Sequence, residues 1–457
     1  MTITYNALSG ALAAQAALNT VSQNIANSQT KGYTRQGVLL QAMATDASPL
    51  SPGNGVQIGS LLRFSDNYKL QQLWRSNSDQ GQYAQVQPYL TQMETVMSDS
   101  TSSISYGVDN FFKALNAAAV DPTSTPLRQQ VITSADSMSQ QINAIYNVTA
   151  NQRISIQQQQ SAILPSLNES LASIAALNRK IVDVGANGSN VSGLEDQREQ
   201  LIDGVAAQVG VEVLNNPDGS VSLSLKSGQP LVVSDMAAKL SYDSSSGSAV
   251  LMLKFANTNF RLDDTKVGGQ LGGLGDYRDN TLLPLQQSIS DLAQQMSSKI
   301  NAQLTQGYKS DGTAGEPLLV YNPASAAGLL EVTSGFQAND LAFSSDGTPG
   351  DSGNLQQLIA IKGQPVNLTS LGSVLLGDAD TQLVGKLGID SQQNQSQLTT
   401  ATTVRNQAED DWKSTSAVNT DEEAINLTEF QNMYQANMKV IAVANTLFDA
   451  TLSMFGS

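Results

Sequence analysis

The sequence predicts a mainly α, elongated fold, in which coiled-coil-like N- and C-terminal helices pair, a helical bundle forms the middle domain and a β-rich domain is inserted. Three observations support this fold class. Apolar residues recur three and four positions apart at both ends of the 457-residue chain, which is the period of one helix face. The same spacing runs through long central segments. One stretch instead alternates apolar and polar residues, as a strand does.

The N-terminal helix is predicted over the first 28 residues, because small and apolar side chains fall on one of its faces. That face consists of Ala7, Leu8, Ala11, Ala14, Leu18, Val21 and Ile25. Small side chains let another helix approach closely, so this face favours a second helix as its partner. Gly32 is expected to stop the helix.

The C-terminal helix is predicted over the last 38 residues. Its apolar seam has a seven-residue repeat, formed by Leu427, Tyr434, Ile441, Phe448 and Phe455, with Phe430 beside it. Such a repeat is typical of a coiled coil. Thr420 and Glu423 have the spacing of a capping box, so we interpret the acidic residues there as a helix start and not as a cation site.

The middle of the chain contains further helical patterns, over residues 66–97, 126–184 and 285–304. The second would span roughly 90 Å at ~1.5 Å per residue. Pro165 is expected to kink or split it, as Gly81 and Pro88 are expected to do in the first.

Short strands are predicted between residues 211 and 262, because β-branched runs alternate there around turns. Two more are expected within PLLVY and LLEVT, further along the chain. These patterns predict three domains. They are a terminal-helix assembly core (1–60 plus 400–457), a helical middle domain (61–190 plus 275–399) and an inserted β-rich outer domain (191–274).

Composition excludes several classes of function. The chain contains no Cys and no His, so it has no disulfide framework, thiol nucleophile, Ser-His triad or imidazole metal ligand. Its net charge of -16 repels phosphate backbones and anionic membranes. No apolar run reaches the ~18 to 20 residues of a membrane helix, and no basic region marks a secretory signal. We expect no cofactor, no metal, no nucleic-acid partner and no membrane insertion.

The glycine-rich stretch from Gly268 to Gly275 lacks the strand-loop-helix setting and the downstream acid of a dinucleotide fingerprint. We interpret it as a hinge leading from the inserted domain back to the helices. Acidic residues are numerous enough for a glycosidase pair, but no motif indicates a reaction class. We therefore predict that the chain is not an enzyme.

Motifs at the two ends resemble those of one bacterial family. NIANSQTKGYTRQ (24–36) is similar to the N-terminal motif of flagellar rod, hook and hook-associated axial proteins, and residues 418–452 are similar to their C-terminal motif. The inner segments 194–203 and 272–280 resemble stretches that flank an inserted domain in the hook-associated members that join hook to filament. The matching motif residues are Asn24, Asn27, Gly32, Tyr33, Arg35, Asp421, Glu422 and Glu423.

The resemblance implies a structural component of the bacterial flagellum that joins the hook to the filament. It implies type III export without a cleaved signal and a secreted, extracellular location at the hook-filament junction. The partners it implies are further copies in a ring, the hook protein, a second hook-associated junction protein, and an export chaperone bound through the C-terminal helix. The lack of Cys suits a chain exported unfolded.

Assembly and chaperone binding are expected to use the apolar faces of the terminal helices, which we expect to be mobile in the free monomer. The expected interface residues are Ala11, Ala14, Leu18, Ile25, Leu427, Phe430, Tyr434, Ile441 and Phe448. Two alternatives stay open. One is another axial subunit, of hook, rod or filament. The other is an exported enzyme or adhesin acting through the inserted domain, which requires a carboxylate cluster or a ligand pocket there.

Overall fold

The structure is a computed structural model that describes residues 2–43, 53–243, 249–325 and 328–455. Ten α-helices dominate the described part, and thirteen short strands accompany them. The predicted fold class is therefore confirmed: long helices form both ends and the middle, and small sheets occupy an inserted region.

Four elements at the chain ends form what we call the terminal segment. They are α1 (Thr2–Ala26), β1 (Gln36–Ala42), β2 (Val56–Arg63) and α10 (Thr420–Phe455). Helix α1 packs along α10, and β1 pairs with β2 as an antiparallel hairpin. The hairpin lies on α1, where the Val56 amide donates to Ser9 Oγ at 3.2 Å. Both predicted terminal helices are present.

The start of α10 is capped one residue earlier than the sequence suggests. Asn419 Oδ1 accepts from the amide of Asp421 at 3.0 Å, so Asn419 is the capping residue. Thr420 is already helical, and the expected capping box from Thr420 to Glu423 is wrong. Asn is among the strongest N-cap residues, because its side-chain oxygen accepts from the free amides of the first turn.

Residues 67–416 form the larger part of the molecule, which we call the body. Its first helices are α2 (Asn67–Met97), α3 (Ile104–Ala118), α4 (Thr125–Gly185) and α5 (Ser192–Gln208). Its later helices are α6 (Gly269–Tyr277), α7 (Leu283–Leu304), α8 (Gly353–Ala360) and α9 (Ala379–Ser416). Helix α2 packs along α9 and also contacts α5 and α6.

The two interior prolines do not split their helices. Helix α4 continues through Pro165, and α2 continues through Pro88. A proline inside a helix costs ~3 kcal/mol because it removes a hydrogen bond and crowds the preceding turn. In α4 the flanking Leu164 and Leu167 are buried in the core, and their burial offsets that cost.

The glycines interpreted as breaks instead permit close contact between helices. A side chain at Gly81 would collide with the carbonyl of Ala207 in α5. A side chain at Gly273 would meet the carbonyl of Gln82 in α2. The stretch beginning at Gly268, which we interpreted as a hinge, is a turn followed by a buried, tightly packed helix.

The inserted β-region contains every strand predicted between residues 211 and 262. Its seven strands are β3 (Val211–Asn215), β4 (Val221–Leu225), β5 (Pro230–Val233), β6 (Met236–Ala237), β7 (Lys239–Asp243), β8 (Val250–Phe255) and β9 (Thr258–Leu262). They form two antiparallel sheets, in the order β3-β4-β5-β6 and β7-β8-β9. Asn178 of α4 fixes the first sheet, since its side chain exchanges two hydrogen bonds with the backbone of Val221.

The rest of the body adds two small hairpins, of which the first contains the strands predicted in PLLVY and LLEVT. They are β10 (Leu319–Tyr321) with β11 (Leu330–Val332), and β12 (Pro365–Leu368) with β13 (Gly372–Leu375). The expected domain edge at residue 400 falls inside α9, and residues 192–208, expected in the β-rich domain, form a helix. The three-domain division stays a prediction.

The main hydrophobic core belongs to the body alone. It runs continuously from Leu70 on α2 to Leu387 on α9, through the helices and both sheets of the inserted region. None of the described residues of α1 or α10 is part of it. The terminal segment has a separate, smaller set of buried residues.

Candidate assembly site

The two terminal helices run antiparallel and approach closely. Gly10 of α1 lies against the Asn437 side chain of α10, whereas Ala17 and Val21 line a shared cavity with Phe430. Apart from Asn24, the buried residues of α1 are almost all small, as the sequence predicts: Ala7, Gly10, Ala11, Ala13, Ala14, Ala17 and Val21. Small side chains are what let the two backbones come this near.

The predicted interface residues fall into three groups. Ala11 and Ala14 are buried, and Ile25 is 37% exposed. Half-buried positions are Leu18, Leu427, Phe430, Tyr434 and Ile441. Phe448 is 63% exposed, because it lies ~16 Å beyond Asn437 along α10 while α1 reaches only ~12 Å beyond Gly10.

Large apolar side chains cover the outer surface of this helix pair. On α1 they are Ile3, Tyr5, Leu8, Leu12 and Ile25, and on α10 they are Ile425, Met438, Val440, Val443, Leu447, Phe448, Leu452 and Met454. Helix α1 contains no charged residue at all. Contiguous exposed apolar surface of this kind marks an interaction site.

Asn24 organises the turn that follows α1. It is only 1% exposed, and its amide donates to the Gln36 carbonyl at 2.8 Å. Its Oδ1 accepts from the Tyr33 hydroxyl at 2.9 Å and from the Gln36 amide at 3.1 Å. Gly32 provides the positive φ of 76° that the turn requires. The helix itself ends at Ala26, six residues before the predicted stop.

The other motif residues of this turn have local partners. Asn27 donates to the Gln23 carbonyl at 2.9 Å and accepts from Thr30. Burial, together with the nearby charges of Asp196 and Glu423, raises the pKa of Tyr33 to about 12. The Tyr33 phenol therefore stays protonated and remains a donor to Asn24.

Arg35 brings three separate parts of the chain together. Its amide donates to the carbonyl of Ser416, at the end of α9, at 2.8 Å, and its carbonyl accepts from the Phe64 amide at 3.0 Å. The Arg35 side chain forms an ion pair with Glu422 at 2.7 Å and lies over the Phe64 ring. The N-terminal motif thereby contacts the start of α10. We call this meeting point the crossing.

The acidic residues of the C-terminal motif differ in environment. Glu422 is exposed and pairs with Arg35, and Asp421 is exposed beside the cap residue. Glu423 is buried, and its Oε2 has no hydrogen-bond partner among the described residues. The three acids are therefore not equivalent, although they are consecutive in sequence.

Arg63, which the sequence reasoning missed, joins the terminal segment to the body. Its Nη2 lies 2.6 Å from Asp196 Oδ1 and 2.7 Å from Glu199 Oε2, both on α5. The same nitrogen donates to Thr34 Oγ1 at 3.0 Å. Burial alone would lower the pKa of Arg63, but the hydrogen bonds and charges of Glu199 and Asp196 outweigh burial and raise it.

The segment 194–203, noticed for its family resemblance, supplies these acids. It also supplies Gln200, whose side chain donates to the Lys31 carbonyl of the turn. No periodic signal in the sequence links Arg63 to acids more than 130 residues away.

The inserted region holds the cavity that an enzyme or adhesin would need. This cavity has a volume of about 770 Å³ and lies between α4 and strands β8 and β9. Three acids line the cavity. Each acid has a basic partner: Asp264 and Asp279 pair with Arg278, and Asp263 pairs with Lys266. In the described part of this cavity, no free carboxylate pair is available for acid-base chemistry.

The described residues contain neither a cluster of metal ligands nor a membrane-spanning helix. No group of three or more acidic side chains is placed to hold a metal ion. No helix in this part of the chain is both long and apolar enough to cross a membrane.

Comparison with known families gives three matches. The model for the flagellar hook-associated protein FlgK helical domain matches residues 90–319. The model for flagella basal body rod protein matches residues 5–34, and the C-terminal model of the flagellar basal body rod FlgEFG proteins matches residues 414–454.

Similar proteins agree with these matches. Flagellar hook-associated protein 1 of Salmonella typhimurium is 27% identical over 548 aligned positions, which cover 98% of this chain and 99% of that protein. The Bacillus subtilis protein of the same name is 25% identical over 493 positions, covering 97% of this chain and 96% of that protein. Both alignments are longer than this chain, so these relatives contain residues that it lacks.

A solved structure also matches, that of the flagellar hook junction protein FlgK from Burkholderia pseudomallei. It superposes with a TM-score of 0.51 at 25% identity, covering 55% of this chain and 47% of that one. The match thus spans about half the length of that relative. With the helical-domain model matching half of its residues and rod-type models matching both of its ends, this chain belongs to the FlgK family of flagellar hook-associated proteins.

Proposed function

We propose that this chain is a structural component of the bacterial flagellum that joins the hook to the filament, and that it assembles through its terminal segment. The observation that carries the proposal is the apolar outer surface of the helix pair, formed by the uncharged helix α1 and by the exposed apolar side chains of α10. Neighbouring subunits would bury this surface, which the body leaves uncovered. Assembled copies would form a ring between the hook protein and a second hook-associated protein.

The apolar residues of α10 would make two kinds of contact, within one chain and between chains. Half-buried Leu427, Tyr434 and Ile441 face α1 within one chain, whereas exposed Val443 and Leu447 are available to other chains. Burying an exposed apolar side chain contributes ~1.5–3 kcal/mol. A few such residues per neighbour therefore suffice to order a helix pair that is mobile in the free monomer.

The match to the helical-domain model distinguishes the junction role from the roles of other axial subunits. The rod-type matches at residues 5–34 and 414–454 fit any axial protein, but the match at 90–319 is specific to hook-associated proteins. We further infer that the chain is not an enzyme, because the acids lining the cavity beside β8 and β9 are neutralised by basic partners.

Export and chaperone binding belong to the same proposal. The chain would leave the cell through the flagellar type III apparatus, and a dedicated chaperone would cover the apolar residues of α10 until assembly. The chaperone and the neighbouring subunit would both contact the exposed apolar residues of α10. They would therefore compete for one surface.

Deleting the gene tests the junction role. Electron microscopy is expected to show hooks without filaments, with unpolymerised flagellin in the medium. Normal filaments and normal motility would contradict the junction role.

Point variants of the full chain test the surface. Val443→Asp places a charge in an apolar contact and is expected to abolish ring assembly and weaken chaperone binding while leaving the body folded. Ile441→Asp is expected to do the same and also to loosen the α1–α10 seam. Gln435→Glu adds the same charge at an exposed polar position of α10 and serves as the control. Equal assembly by Val443→Asp and the control would contradict the proposal.

Amide exchange on the free monomer tests the expected mobility. Rapid exchange is expected in α1 and α10, and slow exchange is expected in α4, whose apolar face lies in the main core. Strong protection at both termini would contradict the idea that assembly orders them.

A further inference from the structure

A cavity of about 430 Å³ lies where the terminal segment meets the body. Its walls come from the turn at residues 27–33, from α2 and α5, and from the end of α9. The volume falls within the range of small-molecule sites in proteins. Neither the assembly surface nor the crossing uses this space.

The chain has two tryptophans, and both line this cavity. Trp74 on α2 is buried beside Leu70, and Trp412 on α9 is half-buried. Two indole rings and aliphatic neighbours form an apolar wall of the kind that packs against a ring.

The acids of the cavity already have partners. Glu199 is bonded to Arg63 at 2.7 Å. Glu409 pairs with Lys413 at 2.7 Å and also with Nη1 of Arg405. Asp203 accepts from Asn77 at 2.9 Å.

Donors in this cavity also keep hydrogen-bonding capacity. The indole Nε1 of Trp412 and the Nε of Arg405 are buried without a partner in the described part of the chain. Lys31 is exposed on the turn, with no ion pair of its ammonium group among the described residues. A buried donor without an acceptor is destabilising, so an acceptor supplied from outside would be stabilised there.

We propose that this cavity binds a small aromatic carboxylate. A carboxylate accepts hydrogen bonds only and offers two oxygens, which matches the spare donors of Trp412, Arg405 and Lys31. An attached ring would pack against the indoles. The bound molecule would contact both the turn of the terminal segment and the helices of the body, and would fix one relative to the other.

Intrinsic fluorescence of the full chain provides the measurement, because its two tryptophans are both in the site. Titration with 3-phenylpropionate is expected to give a saturable change. Two related compounds separate the contribution of the ring to binding from that of the carboxylate. The first, 3-phenyl-1-propanol, keeps the ring and lacks the carboxylate. The second, acetate, keeps the carboxylate and lacks the ring. 3-Phenyl-1-propanol is expected to bind at least roughly tenfold more weakly, since a hydrogen bond to a charged group is worth about that factor. Acetate is also expected to bind at least roughly tenfold more weakly, because it loses the burial of the ring.

Two variants test the donors separately. Trp412→Phe keeps the apolar wall and removes the indole N–H, while Trp74 still reports binding. Lys31→Gln removes the charge at an exposed position, where folding is not at risk. Each is expected to weaken 3-phenylpropionate binding, whereas Lys180→Gln, on the exposed face of α4, is expected to leave it unchanged.

The proposal is overturned if 3-phenylpropionate gives no saturable change, or if 3-phenyl-1-propanol binds as tightly. It is also overturned if Trp412→Phe and Lys31→Gln bind like Lys180→Gln. None of these outcomes bears on the junction role, which rests on the terminal helices alone.

Discussion

The body and the terminal segment are stabilised in different ways. The body buries large apolar side chains, among them Phe111, Met138 and Leu171, in one continuous core. The terminal segment buries mainly alanines, and many of its larger apolar residues are exposed. Because the gain from burial grows with the apolar area removed from water, we expect the body to be stable by itself, and we propose that further copies stabilise the terminal segment.

The largest expected effect comes from the residue that joins the two regions. Arg63→Met would leave Asp196 and Glu199 as unpaired acids in a largely buried site, which costs ~3–5 kcal/mol. Denaturant unfolding followed by circular dichroism measures the loss. Arg75→Met is the matched control, because Arg75 pairs with Glu212 in an exposed ion pair worth ~0–1 kcal/mol. Equal losses in the two variants would show that Arg63 is not a buried link.

The next effect tests the core of the body. Leu171→Ala removes a fully buried side chain from α4 and is expected to lower the free energy of unfolding by ~2–5 kcal/mol. The assembly surface should be unaffected, so copies that remain folded should still form rings. A loss of assembly with normal body stability would contradict the separation of the two regions.

A pH-dependent contribution is expected at the start of α9. Burial raises the pKa of Asp380 to about 6, against a weaker opposing effect of its hydrogen bond from the Ser105 amide. The folded state thus binds the proton more tightly than the unfolded state, where the carboxyl has a pKa of ~3.9. The resulting stability is fully present below pH ~3.9 and is lost as the pH rises through about 6.

Asp380→Asn tests this contribution. The variant should remove the part of the stability that changes between pH ~4 and ~6, a difference of about 2–3 kcal/mol. Unfolding curves of both proteins across this pH window provide the comparison. Parallel pH profiles would mean that Asp380 does not titrate as proposed.

The smallest effect on global stability is expected within the terminal segment. Ala14→Leu inserts a large side chain into the buried side of α1 and should weaken its packing by ~1–3 kcal/mol. The unfolding of the body should not change. Faster amide exchange in α10 would report the loosened pair, and Gln15→Leu, at an exposed position of α1, is the control. Slower exchange in Ala14→Leu would contradict the close packing.

Local patterns predicted most of the fold. The periodicity of α1, α4 and α10 gave these helices to within a few residues, and the strand patterns between residues 211 and 262 were confirmed. Pro165 and Gly81, which were expected to kink or break their helices, do not interrupt them, because packing of the surrounding helix decides whether a breaker acts. A single sequence does not show which neighbour a glycine will meet.

The site was predicted less completely than the fold. The small face of α1 and the seam of α10 follow from spacing, and Ala14 and Ile441 lie where that spacing places them. Phe448 lies outside the pair. The sequence did not predict this position, because the relative length and register of two helices that are distant in sequence leave no local signal. Arg63 was missed for a similar reason: its acidic partners are adjacent only after the chain has folded.

The crossing at Arg35 has a consequence for how such proteins diversify. The chain leaves the terminal segment after Phe64 and returns to it after Ser416, and the backbone of Arg35 is bonded to both points. The two ends of the body therefore lie next to each other, beside Arg35. We therefore expect that its contents can be lengthened, shortened or exchanged without displacing the ends, provided that Arg35 and Arg63 keep equivalent partners.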